Sequence, residues 1–339
     1  DLAARTVALT RMDETATRMR SASDQIDQIA SGVRSDLDTG VKAVNDLASQ
    51  IARLNELIVR AQGSGKAPND LLDQRDQAIR NLNQYVQTTQ VPADDGSLGV
   101  FVGNQPLVLG TTAGTLSVGD APDFPGSGQR KLFFTAAGGT AQALDEQAIG
   151  GGSMAGQLKF YNNDLEDARN LLGRMSLAIG STMNYQQSMG LTLDGATGKP
   201  LFSTPASVNG LTTGSAVGQI SFSTGTFTTP SQFAASDYEV RFTTPPAGQV
   251  IRLSDGKTTA FTDLNDLRNQ QIDGLTFDFT TAGAANERVL FRPFANAAGQ
   301  VQALVRNPSQ LAVANPVNAA MGTANTGSLQ LANLKATGY

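Results

Sequence analysis

The chain has 339 residues, a formal net charge of −5 and no His, Cys or Trp. The acidic balance argues against a nucleic-acid partner, which calls for a basic face. The missing His and Cys exclude His/Cys zinc sites, thiol catalysis, disulfides and Ser-His-Asp triads. Low aromatic content with abundant Ala, Gly, Ser, Thr, Asn and Gln suits a secreted surface protein, and no apolar run approaches a membrane span.

Leu9, Met12, Ala16, Met19, Ala22, Ile26, Ile29, Val33, Leu37, Val41, Val44, Leu47, Ile51, Leu54 and Ile58 follow one another at gaps of three or four. That spacing keeps side chains on one stripe of an α-helix. Such a helix runs to roughly 85 Å at about 1.5 Å per residue, which suggests assembly rather than catalysis. The ladder starts without an N-cap or an initiator Met, so we expect a chain cut from a larger helical rod. The four-residue gaps at Val33, Leu37 and Val41 predict a change of neighbours or a slight bend there.

The run Gly63-Ser64-Gly65-Lys66-Ala67-Pro68 stops this helix. Asn69 is then expected to cap a second helix carrying Leu72, Ile79, Leu82 and Val86, with an Asp76–Arg80 pair on its surface. From residue 87 the period drops to two. Thr88–Val91, Leu98–Val102, Leu107–Leu109 and Leu132–Thr135 read as short strands, turned at Asp94-Asp95-Gly96 and Gly103-Asn104. After three glycines at 150–152, Ser153 is expected to cap a third helix with a stripe at Leu158, Leu165, Ala168, Leu172, Met175 and Ile179. Gly173 and Gly180 on that helix offer a face for a close neighbouring helix.

Residues 204–300 alternate in the manner of strands, with Tyr238, Val240 and Phe242 on one face and a hairpin at Asp255-Gly256. The expected fold is therefore α+β and multidomain. A helical rod domain spans 1–203 with a β insertion at about 87–150, an antiparallel sandwich- or barrel-like domain spans 204–308, and a tail covers 309–339 with a short helical stretch and a strand at Leu329–Leu334.

No motif points to catalysis. Gly256-Lys257-Thr258 lacks the P-loop glycine, since Ile251 stands in its place, and Gly198-Lys199-Pro200 lacks the hydroxyl residue. Asp70, Asp73 and Asp76 spread over more than one helical face and read as helix-start charges. Asp194-Gly195 lacks the alternating acids of a calcium loop. No facing pair of carboxylates is nominated for glycosidase chemistry. More informative is Val44–Ile58, where Asn45, Ala48, Ala52 and Asn55 line a stripe of two small residues between two amides. This stripe allows close packing with lateral hydrogen bonds, or it is a solvated flank.

Several stretches, in this order, resemble the FlgK family of flagellar hook-associated proteins. They are N-x-L-A-x-x-I-A-x-L-N-x-x-I at Asn45–Ile58, P-N-D-L-L-D-Q-R-D at Pro68–Asp76, a D-G-x-x-x-V-type run from Asp95 to Gly110, S-M-A-G-Q-L at 153–158, Met183-Asn184, and GLTLDGATGKPLF from Gly190 to Phe202. A looser match is Asn286-Glu287-Arg288-Val289-Leu290-Phe291. The resemblance implies a structural, non-enzymatic role at the hook–filament junction, without cofactor, metal, nucleic acid or membrane. Export through the flagellar type III apparatus is implied as well, with a final place outside the cell. It also implies a closed ring of about eleven copies that meets the hook protein on one side and the second junction protein on the other. An export chaperone would bind the C-terminal segment missing here, and this fragment alone would be monomeric. Within the motifs, Asn69, Asp70, Asp73, Arg75 and Asp76 are implied structural residues, while Asn45, Ala48, Ala52 and Asn55 are candidates for helix packing or subunit contact. Rival readings are the second junction protein, a flagellin, or an adhesive β domain using Phe222, Phe227, Phe233 and Tyr238 to stack on glycans.

Overall fold

In the computed structural model, which describes residues 1–65, 68–222 and 229–314 and the backbone of two strands beyond, the apolar ladder is a single helix. Helix α1 (Leu2–Gly63) runs for 62 residues. The chain divides into two compact units, one made of residues 1–26 and 167–339, the other of 27–166. Helix α1 contributes to both. Its side chains belong to one core up to Met19 and to another from Val33 and Leu37 onward. These units cut the chain elsewhere than the shift in composition at residue 204.

In the unit of residues 27–166, α1 is joined by α2 (Asn69–Tyr85) and two small sheets. The first sheet orders β1 (Thr89–Pro92), β2 (Leu98–Val102), β3 (Gln105–Leu109) and β4 (Thr112–Ala113) as an antiparallel meander. The second holds β5 (Thr115–Asp120), β6 (Arg130–Thr135) and β7 (Gln142–Ala143). Three helical pieces follow, α3 (Glu146–Ile149), α4 (Ser153–Lys159) and a π-turn at Phe160–Asp164. Leu37, Val44, Ile51, Ile79, Leu82, Val100, Leu107, Leu132, Phe134 and Leu158 share one buried core. Pro68 and Gly152, not Asn69 and Ser153, occupy the N-cap positions, and neither helix start has a side-chain cap. Each expected cap already lies inside the first turn. Arg80 donates to Gln77 Oε1 at 2.7 Å instead of pairing with Asp76. Lys66 and Ala67 of the helix break lie outside the described residues.

The other unit begins with the first part of α1 and takes up the chain again in α5 (Leu165–Ser188). Its strands are β8 (Ser207–Asn209), β9 (Leu211–Thr212), β10 (Val217–Phe222), β11 (Tyr238–Thr244), β12 (Ala247–Arg252), β13 (Thr258–Phe261), β14 (Leu275–Thr281) and β15 (Arg288–Phe291). Short helices α6 (Thr229–Gln232), α7 (Leu264–Gln270) and α8 (Ala297–Gln300) interrupt them. Sheet β14-β10-β8 and sheet β13-β12-β11-β15-β9 share one aromatic core, so the β region is a sandwich. The Asp255-Gly256 turn joins β12 and β13, which pair from Ile251↔Thr258 to Gly248↔Phe261. Phe242 meets Phe279 edge to face at 5.4 Å, and Phe277 meets Phe291 likewise at 5.5 Å. This is the arrangement that ring quadrupoles favour. Strands β16 (Val317–Met321) and β17 (Leu331–Ala336) pair with each other. The expected strand at 329–334 is thus found from 331 onward, with 329–330 outside the described residues.

Helix α5 departs from expectation in its orientation. Leu158 and Leu165 are buried, but Met175 and Ile179 of the same expected stripe are exposed, as is Leu171. The inward face carries Asn170, Gly173, Ser176, Leu177, Gly180, Ser181 and Gln187. Gly173 does accept a close neighbour, but it is the backbone carbonyl of Phe294, not a helix, and Gly180 faces Phe202 and Thr204.

Candidate assembly site

A helix keeps its backbone donors and acceptors to itself, so an extended chain beside it finds no partners. A primary amide supplies them. It offers a donor and an acceptor side by side, as a strand edge does. Asn45 Nδ2 donates to the Leu116 carbonyl at 2.9 Å while its Oδ1 accepts from the Leu116 amide at 2.7 Å. Asn55 does the same for Leu98, at 2.9 and 3.1 Å, and its Nδ2 also reaches the Gly110 carbonyl at 2.7 Å. Asn45 therefore clamps β5 onto α1, and Asn55 clamps β2 and the end of β3. Ala48 and Ala52, buried between them, keep the helix surface low enough for the sheets to approach. The stripe singled out in the sequence is thus met within the chain by its β insertion, with helix α2 sharing the same core.

Arg75 completes the arrangement. Its guanidinium is buried and Nη1 donates to Asn55 Oδ1 at 3.0 Å and to the Gly96 carbonyl at 2.9 Å. Burial pulls its pKa below the ordinary value, and Asp76 opposes that. Gly96 sits at φ +84, and a Cβ there would strike the Gln62 side chain, so only glycine presents this carbonyl without strain. Asn69, Asp70, Asp73 and Asp76 of the same motif are exposed and lie outside the arrangement.

Further amides act in the same way, and sequence reasoning did not single out their chemistry. Asn162, in the π-turn, takes both backbone groups of Arg130 at 2.9 and 2.8 Å and donates to Glu146 at 2.8 Å. Asn184 takes the amides of Leu201 and Phe202 and the carbonyl of Phe202. Gln187 bridges the Gln310 carbonyl and the Ala312 amide. In the sandwich, Glu287 is buried. Desolvation raises its pKa, but hydrogen bonds from the Ala216 and Ala284 amides and from Thr212 and Ser215 outweigh that and hold it below the usual carboxylate value. The signal available in the sequence was the position of Asn45, Asn55, Asn184 and Glu287 inside the recognisable stretches. Among the described residues, no cluster of acids could hold a metal ion, and no helix is long and apolar enough to cross a membrane. Phe222, Phe233 and Tyr238 lie in the sandwich core, where they cannot stack on a glycan, and Phe227 lies outside the described residues.

This set of clamps ties motif residues to one architecture, and comparison with known proteins identifies that architecture. The family model for the flagellar hook-associated protein FlgK helical domain matches residues 1–202. The chain belongs to the FlgK family. Flagellar hook-associated protein 1 of Salmonella typhimurium is 32% identical over 283 residues, covering 82% of this chain and 50% of that protein. The Escherichia coli K12 protein of the same name is 31% identical over 291 residues, covering 84% and 51%. The flagellar hook junction protein FlgK of Burkholderia pseudomallei superposes with a TM-score of 0.82 at 29% identity, over 97% of this chain and 59% of that one. The chain spans about half the length of the curated FlgK relatives it matches.

Proposed function

We propose that this chain is part of a structural, non-catalytic flagellar subunit. It forms the junction between hook and filament and lets flagellin polymerise beyond it. The observation that carries this reading is the match of the helical family model over residues 1–202. It is joined by a fold similarity that extends through the β region to a hook junction protein. The subunit would leave the cell through the flagellar type III apparatus and form a ring of about eleven copies between hook protein and second junction protein. A chaperone would engage the C-terminal segment of the whole protein. We further propose the division into a helical domain at 1–203, a β domain at 204–308 and a following segment at 309–339. It is supported by the end of the family match at residue 202. In that scheme Asn45, Ala48, Ala52, Asn55 and Arg75 serve assembly indirectly, by fixing the β insertion on α1, while Asn69, Asp70, Asp73 and Asp76 shape the start of α2. A strain lacking the gene should keep intact hooks and shed monomeric flagellin into the medium. Normal filaments in that strain would overturn the reading.

A further inference from the structure

Two arginines tie the first part of α1 to one segment of extended chain. Arg5 Nη1 donates to the carbonyl of Leu311 and, at 3.4 Å, to that of Pro308. Arg20 Nη1 donates to the Val301 carbonyl at 2.6 Å. Residues 301–311 therefore run antiparallel to the helix. Fifteen residues of α-helix cover roughly 22 Å, which ten residues of chain bridge only when mostly extended. The segment carries one 3-10 turn, Pro308–Gln310, and a single bridge from Ala303 to Phe202. Among the described residues, every side-chain hydrogen bond that leaves residues 1–26 ends on this segment. Leu9, Ala16 and Met19 of the helix share a small core with Val301, Val305 and Leu311.

The fit is loose between the two anchors. A cavity of about 210 Å³ lies between Thr6, Thr10 and Asp13 on the helix and Ala303, Arg306 and Pro308 on the segment. Groups lining such a space forgo contacts that full packing would supply. Both anchors are cations held by neutral carbonyls, so no counter-charge fixes either of them. From Val33 onward, by contrast, α1 sits in a larger core and is clamped by Asn45 and Asn55.

We propose that residues 301–311 are a strap that opens and closes on α1, with Arg5 and Arg20 as its two fastenings. When the strap is seated, the first part of the helix is held to its unit. When it lifts, residues 2–26 lose their packing together, while the helix from Val33 onward keeps its own core. Local openings of this kind cost less than global unfolding and take contiguous pieces of structure with them. The inference goes beyond the flagellar reading and does not depend on it.

Hydrogen exchange on the full-length protein, corrected for intrinsic rates, tests this directly. The α1 amides from Leu9 to Met19 should exchange through the same opening as two strap amides, Leu304 and Ala312. Those two bond to the Leu201 carbonyl and to Gln187 Oε1. Arg20→Met keeps the aliphatic stem and removes the bond to Val301. It should speed both sets by a common factor of about tenfold or more, as expected for losing a hydrogen bond from a charged donor. Amides of Val33–Ile58 and of β11 should not change, and their protection shows that the variant is folded. Acceleration confined to the turn around Arg20, or extending through the whole of α1, would overturn the proposal. A second variant locks the strap instead of loosening it. These 339 residues contain no cysteine, so Thr10→Cys with Arg306→Cys can be joined by a short bismaleimide across the cavity that both positions line. The link should slow both sets roughly tenfold relative to the unlinked double variant, because a cross-link constrains the open state. Unchanged exchange in the linked protein would also overturn the proposal.

Discussion

Asn55 is the residue whose loss should cost most for its size. It is fully buried, and it satisfies the Leu98 amide and carbonyl, the Gly110 carbonyl and one donor of Arg75. Asn55→Leu fills the same volume but leaves these groups unpaired, at about 1–3 kcal/mol for each buried orphan. Chemical denaturation should show a loss of about 3–4 kcal/mol in the unit of residues 27–166. Asn45→Leu, which frees only the two groups of Leu116, should lose less. Asp237 gives a pH-dependent counterpart. Burial pushes its carboxyl up to about 7, a hydrogen bond with Asn170 pulls it down and Asp167 pushes it up. Arg292 Nε lies 3.2 Å from Oδ2 and favours the ionised form. Because the folded value stands above the unfolded one, the folded state binds the extra proton. Stability is complete below the ordinary carboxylate range and declines as pH rises through about 7. The urea midpoint should follow that decline in the wild type and flatten in Asp237→Asn. These residue-level facts were only half legible. The sequence marked Asn45 and Asn55 as unusual, because two amides flanked small residues on one helical stripe. It did not reveal that their partners are strands 43 to 71 residues away, since a stripe names the residues that share a face and not what covers it.

At the scale of elements, glycine positions on the helices separate packing from propensity. A Cβ at Gly173 would collide with the Phe294 carbonyl, so Gly173→Ala should destabilise its unit by about 1–3 kcal/mol. Gly32 lies exposed inside α1 with nothing near its missing Cβ. Gly32→Ala should therefore stabilise by about 0.4–1 kcal/mol. Calorimetry of the two variants should give melting shifts of opposite sign. Helix α1 was legible almost from end to end because fifteen apolar residues keep the helical period and nothing breaks it. The hairpin at Asp255-Gly256 was legible because its turn residues are nearly unique to that role. Strands β4, β5 and β7 were not foreseen. Strands β4 and β7 have only two residues each, and β5, six residues with a glycine and only two large apolar side chains, has its backbone held by β6 and by Asn45 more than by its own pattern. The orientation of α5 was missed for a different reason. Periodicity placed Met175 and Ile179 on one stripe correctly, but an apolar stripe was taken to be the inner one. Here the inner face sets Leu165 and Leu177 among glycine, serine and amides that let backbone approach.

On the scale of the whole molecule, the role proposed above is that of a subunit that holds a position between hook and filament. Its polar side chains are spent on joining extended chain to helices, and its aromatic residues on filling a sandwich. The rival readings place the protein elsewhere: a flagellin along the filament, an adhesin wherever its target is displayed. Location therefore decides among them. A single cysteine at an exposed loop position such as Ala196, introduced into the full-length protein in place of the native copy, can be labelled with a maleimide dye on living, flagellated cells. With the filament counter-stained in a second colour, the account predicts one compact spot per flagellum at the boundary between hook and filament. Label distributed along the filament, or over the cell surface away from the hook, would contradict it.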